Sequence, residues 1–544
     1  MARAPSFLLF VTDQHRADHL GCEGNREVRT PHIDALAARG CRFGQFHVAT
    51  PICQPNRASL MTGRMPSAHG LRMNGRELSL GERTLVDTLR QAGWRTALVG
   101  KAHLQNITVA PTAWPAPGEP RLAEARTAFP GRYGQEVWKR WEDDPAHELS
   151  LPYYGFEDVA LTIGHGDDQH GHWRRWLRRQ TPEADRLVGA ANALPTPGLA
   201  LAALGQAWRT RLPEELHPTH WIASETCARL ERLAVGDAPF FLQCSFPDPH
   251  HPYTPPGRWW DLVRPQDVTL PASFHTPAHD APPPLAWLRR WRDAQTHFRP
   301  GFGSFACSEQ EAREAIALNH GNLGFIDSAI GRVLDTLQRL GLARDTVVMF
   351  TADHGDLMGE HGLLFKGGLH DGALTRVPFI WHDPAGSGRA PGTAPGGADA
   401  AGSAQAPGRV IPALAQTIDI PATVLARAGL PSANGLQGRS LLPVVDGHVD
   451  AVRESLLIEE ESQRRDFGLD RRLRMRTLRT LQHRCTVWHG QAWGELYDLQ
   501  SDPQERHNLW NEPAAQPLRQ RLVEQLLQAQ LDAADDSPYP GAAA

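Results

Sequence analysis

Cysteine is scarce: this chain of 544 residues has seven, an odd number, scattered over positions 22, 41, 53, 227, 244, 307 and 485 without a C-x-x-C pair. That excludes a disulfide framework and a structural zinc site, and most of these thiols are expected in the core. No apolar stretch approaches the roughly 20 residues that a membrane-crossing helix needs, so no membrane partner is expected. Excess charge of one sign is also missing. The 56 Lys+Arg and 61 Asp+Glu leave a formal −5 without long single-sign runs, which gives a nucleic acid or an anionic surface nothing to hold. There is no repeat of fixed period. The opening MARAPSFLLFVTDQ reaches Asp13 after a short apolar run, with no small-residue cleavage site behind it. It reads as a buried strand, and a cytoplasmic protein is expected.

What is present is an alternation of short apolar runs and amphipathic segments. Strands are expected at SFLLFV (6–11), RFGQFH (42–47), RTALVG (95–100), PFFLQCSF (239–246), TVVMFT (346–351) and VPFIWH (377–382). Helices fall between them. One is opened by Thr30-Pro31, with the threonine as cap, and stopped at Gly40; others are expected over 84–94, 309–341 and 418–430. The pattern implies the α/β class, a large mixed, mostly parallel sheet sandwiched by helices. From about 104 to 235 the periodicity fades while Trp, Pro and His crowd in, which reads as a long insertion outside the central sheet, with a second over about 255–305. Trp259, Trp260, Trp287 and Trp291 suit either a substrate pocket or a subunit contact, and a homo-oligomer is expected. Residues 384–408, rich in Gly, Ala, Pro and Ser, read as a flexible loop. After about 440 separated β-runs lead to a helix near 514–534. The organisation expected is therefore a catalytic domain over 1–440 and a smaller C-terminal α+β domain over 441–544.

Chemistry-bearing residues gather just past the apolar runs. Open parallel sheets bind ligands outside the carboxyl ends of their strands, so such residues are candidates for one shared site. Four places qualify: Asp13-Gln14, Lys101 with His103, His250-His251, and Asp353-His354. Asp13, Gln14, Asp353 and His354 together suit a hard divalent cation that tolerates one nitrogen ligand. Taken singly, each acidic residue reads as a turn or helix cap; the recurrence at four strand ends outweighs that reading. A second feature is PICQPNRASLMTGR (51–64), where Cys53 begins a short predicted helix and Arg57 follows one turn on. The free N–H groups and partial positive charge of a helix N-terminus favour both a nucleophile and a transferable anion. A lone cysteine there would be an ordinary buried thiol.

The run C-x-P-x-R followed by A-S-L-M-T-G-R resembles the signature of the formylglycine-dependent sulfatases of the alkaline phosphatase superfamily. FVTDQHRADHLGCEGN (10–25), GKAHL (100–104), SFPDPHHPYTPP (245–256), TADHGDLMGEHGLLFKGG (351–368) and ELYDLQSDP (495–503) resemble further family blocks in family order. The resemblance implies a hydrolase of small-molecule sulfate esters in which Cys53 is oxidised to formylglycine by a maturation enzyme. It implies Asp13, Gln14, Asp353, His354 and residue 53 itself as metal ligands. Arg57 and Lys101 would bind the sulfuryl group, His103 would be the base of the release step, and His250 and Lys366 would contact the leaving or a nonbridging oxygen. Asn74 would be a further substrate contact. His251 reads as a loop histidine beside the site, and His69 and His370 as structural or rim residues. In such an enzyme one hydroxyl of the hydrated aldehyde attacks sulfur, and deprotonation of the other expels sulfate. Cations aimed at the sulfuryl oxygens should then dominate the rate.

Three departures bear on these implications. Gln14 stands where many sulfatases have a second aspartate and His354 where many have asparagine, one negative charge fewer; calcium is the first choice of ion, with manganese, which the imidazole favours, or magnesium as alternatives. Asn56 stands where the family usually has Ser or Ala, although the Cys, Pro and Arg of the motif are all present. Two other readings stay open. A phosphonate monoester or phosphodiester hydrolase of the same superfamily would tend to have Tyr and Thr where Lys101 and His103 stand. A non-catalytic binding protein would keep the fold with Cys53 unmodified. Tryptic mass spectrometry of active protein is expected to find residue 53 lighter than cysteine by the thiol-to-aldehyde difference, and Cys53→Ser to lose turnover by roughly a few thousandfold. An intact, alkylatable thiol in active protein contradicts the formylglycine mechanism.

Overall fold

All seven residues of SFLLFVT are buried, as a strand covered on both faces of a parallel sheet must be. In the computed structural model, which describes residues 4–115, 118–276, 281–294, 303–386 and 408–542, this run lies inside a nine-stranded sheet. The strands of the first four hundred residues are β1 (Ser6–Thr12), β2 (Cys41–His47), β3 (Arg95–Gly100), β4 (Asp158–Ile163), β5 (His170–Gly171), β6 (Phe240–Ser245), β7 (Phe305–Ala306), β8 (Thr346–Ala352), β9 (Leu363–Leu364) and β10 (Phe379–His382). With β11 (Arg409–Gln416) the large sheet runs β11-β2-β10-β8-β1-β6-β3-β4-β5, while β7 and β9 pair apart from it.

Side chains alternate across β1. Phe7, Leu9 and Val11 join the layer of helices Cys53–Thr62, Leu85–Gln91 and Asp419–Arg427, through Leu60, Leu89 and Val424. Leu8 and Phe10 face the opposite layer of helices Pro31–Arg39, Pro218–Leu233 and Glu309–Arg339, through Ile33, Ile222 and Ile326. The expected α/β sandwich is therefore present. Register matters most for function. Val11 pairs with Ser245 and Thr351, Thr12 with Ala352, and Gly100 with Ser245, so β1, β3, β6 and β8 end level with one another. Whatever follows these strands emerges along one edge.

Two expectations are corrected. The segment 104–235 is not wholly outside the central sheet: β4 pairs in parallel with β3, from Ala97 opposite Asp158 to Gly100 opposite Leu161. DVALTI is short and begins on a polar residue, and the surrounding Trp and His mask its periodicity. Thr30 does not cap its helix by its side chain. Its hydroxyl accepts from Gly21 N–H and donates to Asp34, while the N–H groups of His32 and Ile33 donate to the Asp327 carboxylate from another helix. The tryptophans of these segments mostly point inward: Trp141, Trp173 and Trp221 are buried, Trp259 stacks on Phe325, and Trp287 meets Trp291 and Phe467. Most of the 384–408 run lies outside the described residues.

Beyond the large sheet, β12 (Ser455–Glu461), β13 (Arg474–Thr480), β14 (His483–Trp488) and β15 (Gly494–Asp498) form a separate antiparallel sheet in meander order, backed by helix Gln516–Asp532. Its Leu457, Leu478 and Leu496 pack with Ala49, Met65 and Ile418 of the first unit, and Glu459 N–H donates to Ala49 O at 2.9 Å. All seven cysteines are unpaired. No helix among the described residues is long and apolar enough to cross a membrane. Because Leu161 of β4 is fully buried, Leu161→Ala is expected to cost about 3 kcal/mol in urea unfolding. Leu122→Ala, at an 84% exposed position, should stay within about 0.5 kcal/mol of wild type.

Candidate active site

The level strand ends deliver the predicted residues to one place. Asp13 and Gln14 follow β1, Lys101 and His103 follow β3, and Asp353 and His354 follow β8. All six are buried. Gln14 (φ 59) and His103 (φ 55) sit in the left-handed region that non-glycine residues avoid, and such outliers concentrate where the surroundings enforce a functional geometry. Gly100 (φ 101) makes the turn into Lys101: a Cβ there would lie 1.8 Å from Ser245 O. The His103 turn is tied by Glu136, whose carboxylate accepts the N–H groups of His103, Leu104 and Gln105 at 2.7, 2.8 and 2.9 Å and the Tyr153 hydroxyl at 2.6 Å.

Arg57 is the hub of the carboxylates. Its Nε donates to Asp353 at 2.7 Å, Nη2 to Asp13 at 3.3 Å, and Nη1 to Ser245 Oγ at 2.9 Å and Lys101 O at 3.1 Å. One of the five guanidinium N–H bonds remains. Lys101 Nζ also donates to Asp13 and to His165 Nε2. Burial alone would raise the Asp13 pKa; Lys101, Arg57, Lys366 and His165 overcome it and hold the carboxyl well below its usual range.

These residues fit a divalent cation. Asp13, Asp353 and His354 offer ligand atoms within 4.8 Å of one another. Asp13 Oδ1 and Gln14 Oε1 are buried acceptors with no hydrogen-bond partner, a costly condition that a cation would relieve. The Gln14 amide is held by donation of Nε2 to Asp356 and to His251 Nδ1, so its oxygen is the free end. His354 Nδ1 donates to Gly355 O at 2.9 Å, which puts the lone pair on Nε2, toward Asp13 and Asp353. In this structure Lys366 Nζ donates to that lone pair, so the ammonium and an ion compete for it.

Cys53 opens a helix whose ten residues are all buried, and no side chain of the preceding residue caps it. Instead Asn74 Oδ1 accepts from Gln54 N–H at 3.3 Å, while Asn74 Nδ2 lies 3.8 Å from Cys53 Sγ. Lys366 Nζ lies 3.7 Å from the same sulfur and 2.9 Å from His250 Nε2. Burial pushes the Cys53 thiol up, but Lys366, Lys101 and His103, the last with a hydrogen bond, bring it well below its ordinary range. The Lys366 loop is fixed from the C-terminal sheet, where Glu460 of β12 accepts from Gly368 N–H at 2.8 Å. Asn56, the departure within the motif, is occupied: its oxygen accepts from Ala49 N–H and Thr417 Oγ1 and its amide donates to Asp353 O.

His251 holds Gln14 and stacks on Phe365, His69 pairs with Ser59 inside the core, and His370 pairs with Thr477. Sequence reasoning did not find Glu136, Asp356 or His165. Asp356 lay inside a quoted block without a role, and His165 follows the unrecognised β4; the GHGD run after DVALTI was the available signal.

The Sulfatase family pattern matches residues 5–127 and 224–430, and that of the N-sulphoglucosamine sulphohydrolase C-terminal region matches 402–532. The chain is 26% identical to an arylsulfatase of Clostridium perfringens over 93% of this chain and 90% of that one. It is 28% identical to a multifunctional alkaline phosphatase superfamily protein, PehA, of Trinickia caryophylli, covering 97% and 95%. Among solved structures, the phosphonate monoester hydrolase of Agrobacterium radiobacter superposes with a TM-score of 0.73 at 25% identity, covering 98% and 97%.

The electrostatics make a direct prediction. In protein carrying unconverted Cys53, Lys366→Met removes a cation that favours the thiolate, so the thiol pKa must rise. The pH midpoint of iodoacetamide alkylation at Cys53 should move upward; an unmoved midpoint contradicts the assignment of Lys366 to this sulfur.

Proposed function

The chain belongs to the sulfatase family, and we propose that it hydrolyses sulfate monoesters at Cys53, matured to formylglycine, beside one divalent ion. The observation that carries this reading is the position of Cys53 Sγ at a helix N-terminus, 3.8 Å from Asn74 Nδ2 and 3.7 Å from Lys366 Nζ, which itself lies 2.9 Å from His354 Nε2 of the Asp13–Asp353–His354 cluster. The sulfur marks where the oxygens of formylglycine would lie. Asp13, Gln14, Asp353 and His354 would hold the ion, calcium by first choice, and bound there it would act as a Lewis acid toward the nucleophile and a sulfuryl oxygen.

The rest is the work of this chain's own residues. Arg57 holds Asp13 and Asp353 in place, with one N–H left for the substrate. Lys101, with two of its three N–H bonds on Asp13 and His165, directs the third at the transferring group. Lys366 and His250 form a hydrogen-bonded pair at the leaving-oxygen side, where the ammonium offsets charge that develops as the ester bond breaks. His103, held by Glu136, removes the proton at residue 53 that lets sulfate depart. Arg57, Lys101 and Lys366 match Asp13, Asp353 and Asp356 in number, and a bound divalent ion would tip the balance toward an anion. Since residues 53–62 are all buried, a maturation enzyme must reach Cys53 before this helix packs.

A second reading, hydrolysis of phosphonate monoesters or phosphodiesters, is favoured by the similarity to the Agrobacterium structure. Lys101 and His103 weigh against it. Purified protein is expected to turn over an aryl sulfate with higher kcat/KM than an aryl phosphonate monoester, to lose both activities to a chelator and to regain them with calcium or manganese. The opposite order of kcat/KM selects the second reading, and no turnover of either selects a binding protein.

A further inference from the structure

His165 belongs to no motif and enters the site from the turn after β4. Its Nε2 lies 2.8 Å from Lys101 Nζ and 3.9 Å from Asp13 Oδ2, and its ring stacks on His250 with centroids 3.7 Å apart and planes 15° apart. An ammonium only donates, so Nε2 is the acceptor and the ring proton sits on Nδ1. Gly164 (φ 104) and Gly166 (φ 59) on either side supply the backbone turns that bring the ring in.

We propose that His165 is a positioning residue for Lys101. A lysine amine on four flexible methylenes is a poor aiming device, and Asp13 alone would let it swing about a single contact. The second acceptor, approaching from β4, fixes the ammonium in two directions and commits its remaining N–H to the group being transferred. His250 supports the ring from behind, so the acceptor is itself held. The role rests on the functional reading above only through the reaction used to measure it.

Two substitutions separate the acceptor from the ring. His165→Gln keeps an acceptor without the aromatic face; His165→Phe keeps the face without the acceptor. With metal-loaded, matured enzyme, His165→Gln is expected to hold kcat within about tenfold of wild type, and His165→Phe to lose about a hundredfold in kcat with little change in KM. Lys101→Ala/His165→Phe should be no slower than Lys101→Ala. Phenylalanine as fast as wild type, or effects that multiply in the double variant, overturns the proposal. A thermal midpoint for each variant checks the fold; should His165→Phe not fold, His165→Leu against His165→Asn makes the same comparison. Inorganic sulfate binding by calorimetry gives an answer independent of turnover. If wild type is inert on both ester classes, the functional reading fails, while weaker sulfate binding by His165→Phe than by His165→Gln, abolished in the Lys101→Ala background, still supports the positioning role. Equal affinities overturn it.

Discussion

Two carboxylates buried without access to water, Asp13 and Asp353, are the constraint on which this site depends. An unpaired buried charge costs several kcal/mol, and a pair repays that only with good geometry and further hydrogen bonds. Arg57 meets both carboxylates from one planar fork, and Lys101 shares with it the Oδ2 oxygen of Asp13. The arrangement works because β1 and β8 are in register to their last residues, with Thr12 opposite Ala352, and because β6 ends level and gives Arg57 the Ser245 hydroxyl. A slip of one residue in β8 would move Asp353 to the other face of the sheet and leave the guanidinium without its shorter ion pair.

That dependence explains what was legible in the sequence. β1, β3, β6 and β8 are continuous apolar runs ended by polar residues, so both the strands and the site at their ends follow from hydrophobic patterning. Asp13, Gln14, Lys101, Asp353 and His354 are legible for that reason; Cys53, Arg57, Asn74 and Lys366 owe their roles to the resemblance. What patterning cannot express is support from distant chain. Glu136 reaches the His103 turn from a stretch with no periodicity of its own, and its three backbone bonds have no signature in residue spacing. His165 was hidden by an error one step earlier: once DVALTI is not taken as a sheet strand, nothing assigns the residues after it to a strand end. Thr30 shows the same limit at a helix terminus, where the carboxylate that meets the N–H groups comes from Asp327, nearly three hundred residues away.

The C-terminal sheet is part of the same logic. Glu460 holds Gly368 next to Lys366, and Gln463 donates to Asn74 O at 3.0 Å while accepting from Ala113 N–H at 2.7 Å. Asn74 and Lys366, two of the residues that approach Cys53 Sγ from outside its helix, therefore sit on loops tied to one short segment, 460–463. Tying loops to a separate hydrogen-bonded sheet gives them the rigidity that charge-directed chemistry needs, since a donor displaced by an ångström loses most of its advantage.

A second group of ligand-type residues, Asp13, His165 and His250, also has donor atoms within 4.8 Å of one another. Such a triad beside Asp13, Asp353 and His354 has the composition of a two-metal centre, in which paired ions clamp the attacking and leaving oxygens. Here Lys101 Nζ occupies the space between Asp13 and His165, and Lys366 Nζ lies against His250. Two ammonium groups thus stand where a second divalent ion would be held. They bring the same total charge, but distributed over two donors, one on His165 and one on His250, that can follow different oxygens. An ammonium also carries protons that an ion lacks, which suits a reaction whose leaving oxygen must be stabilised while its nucleophile is being deprotonated. In the proposed reaction the lysines would for this reason make one ion sufficient.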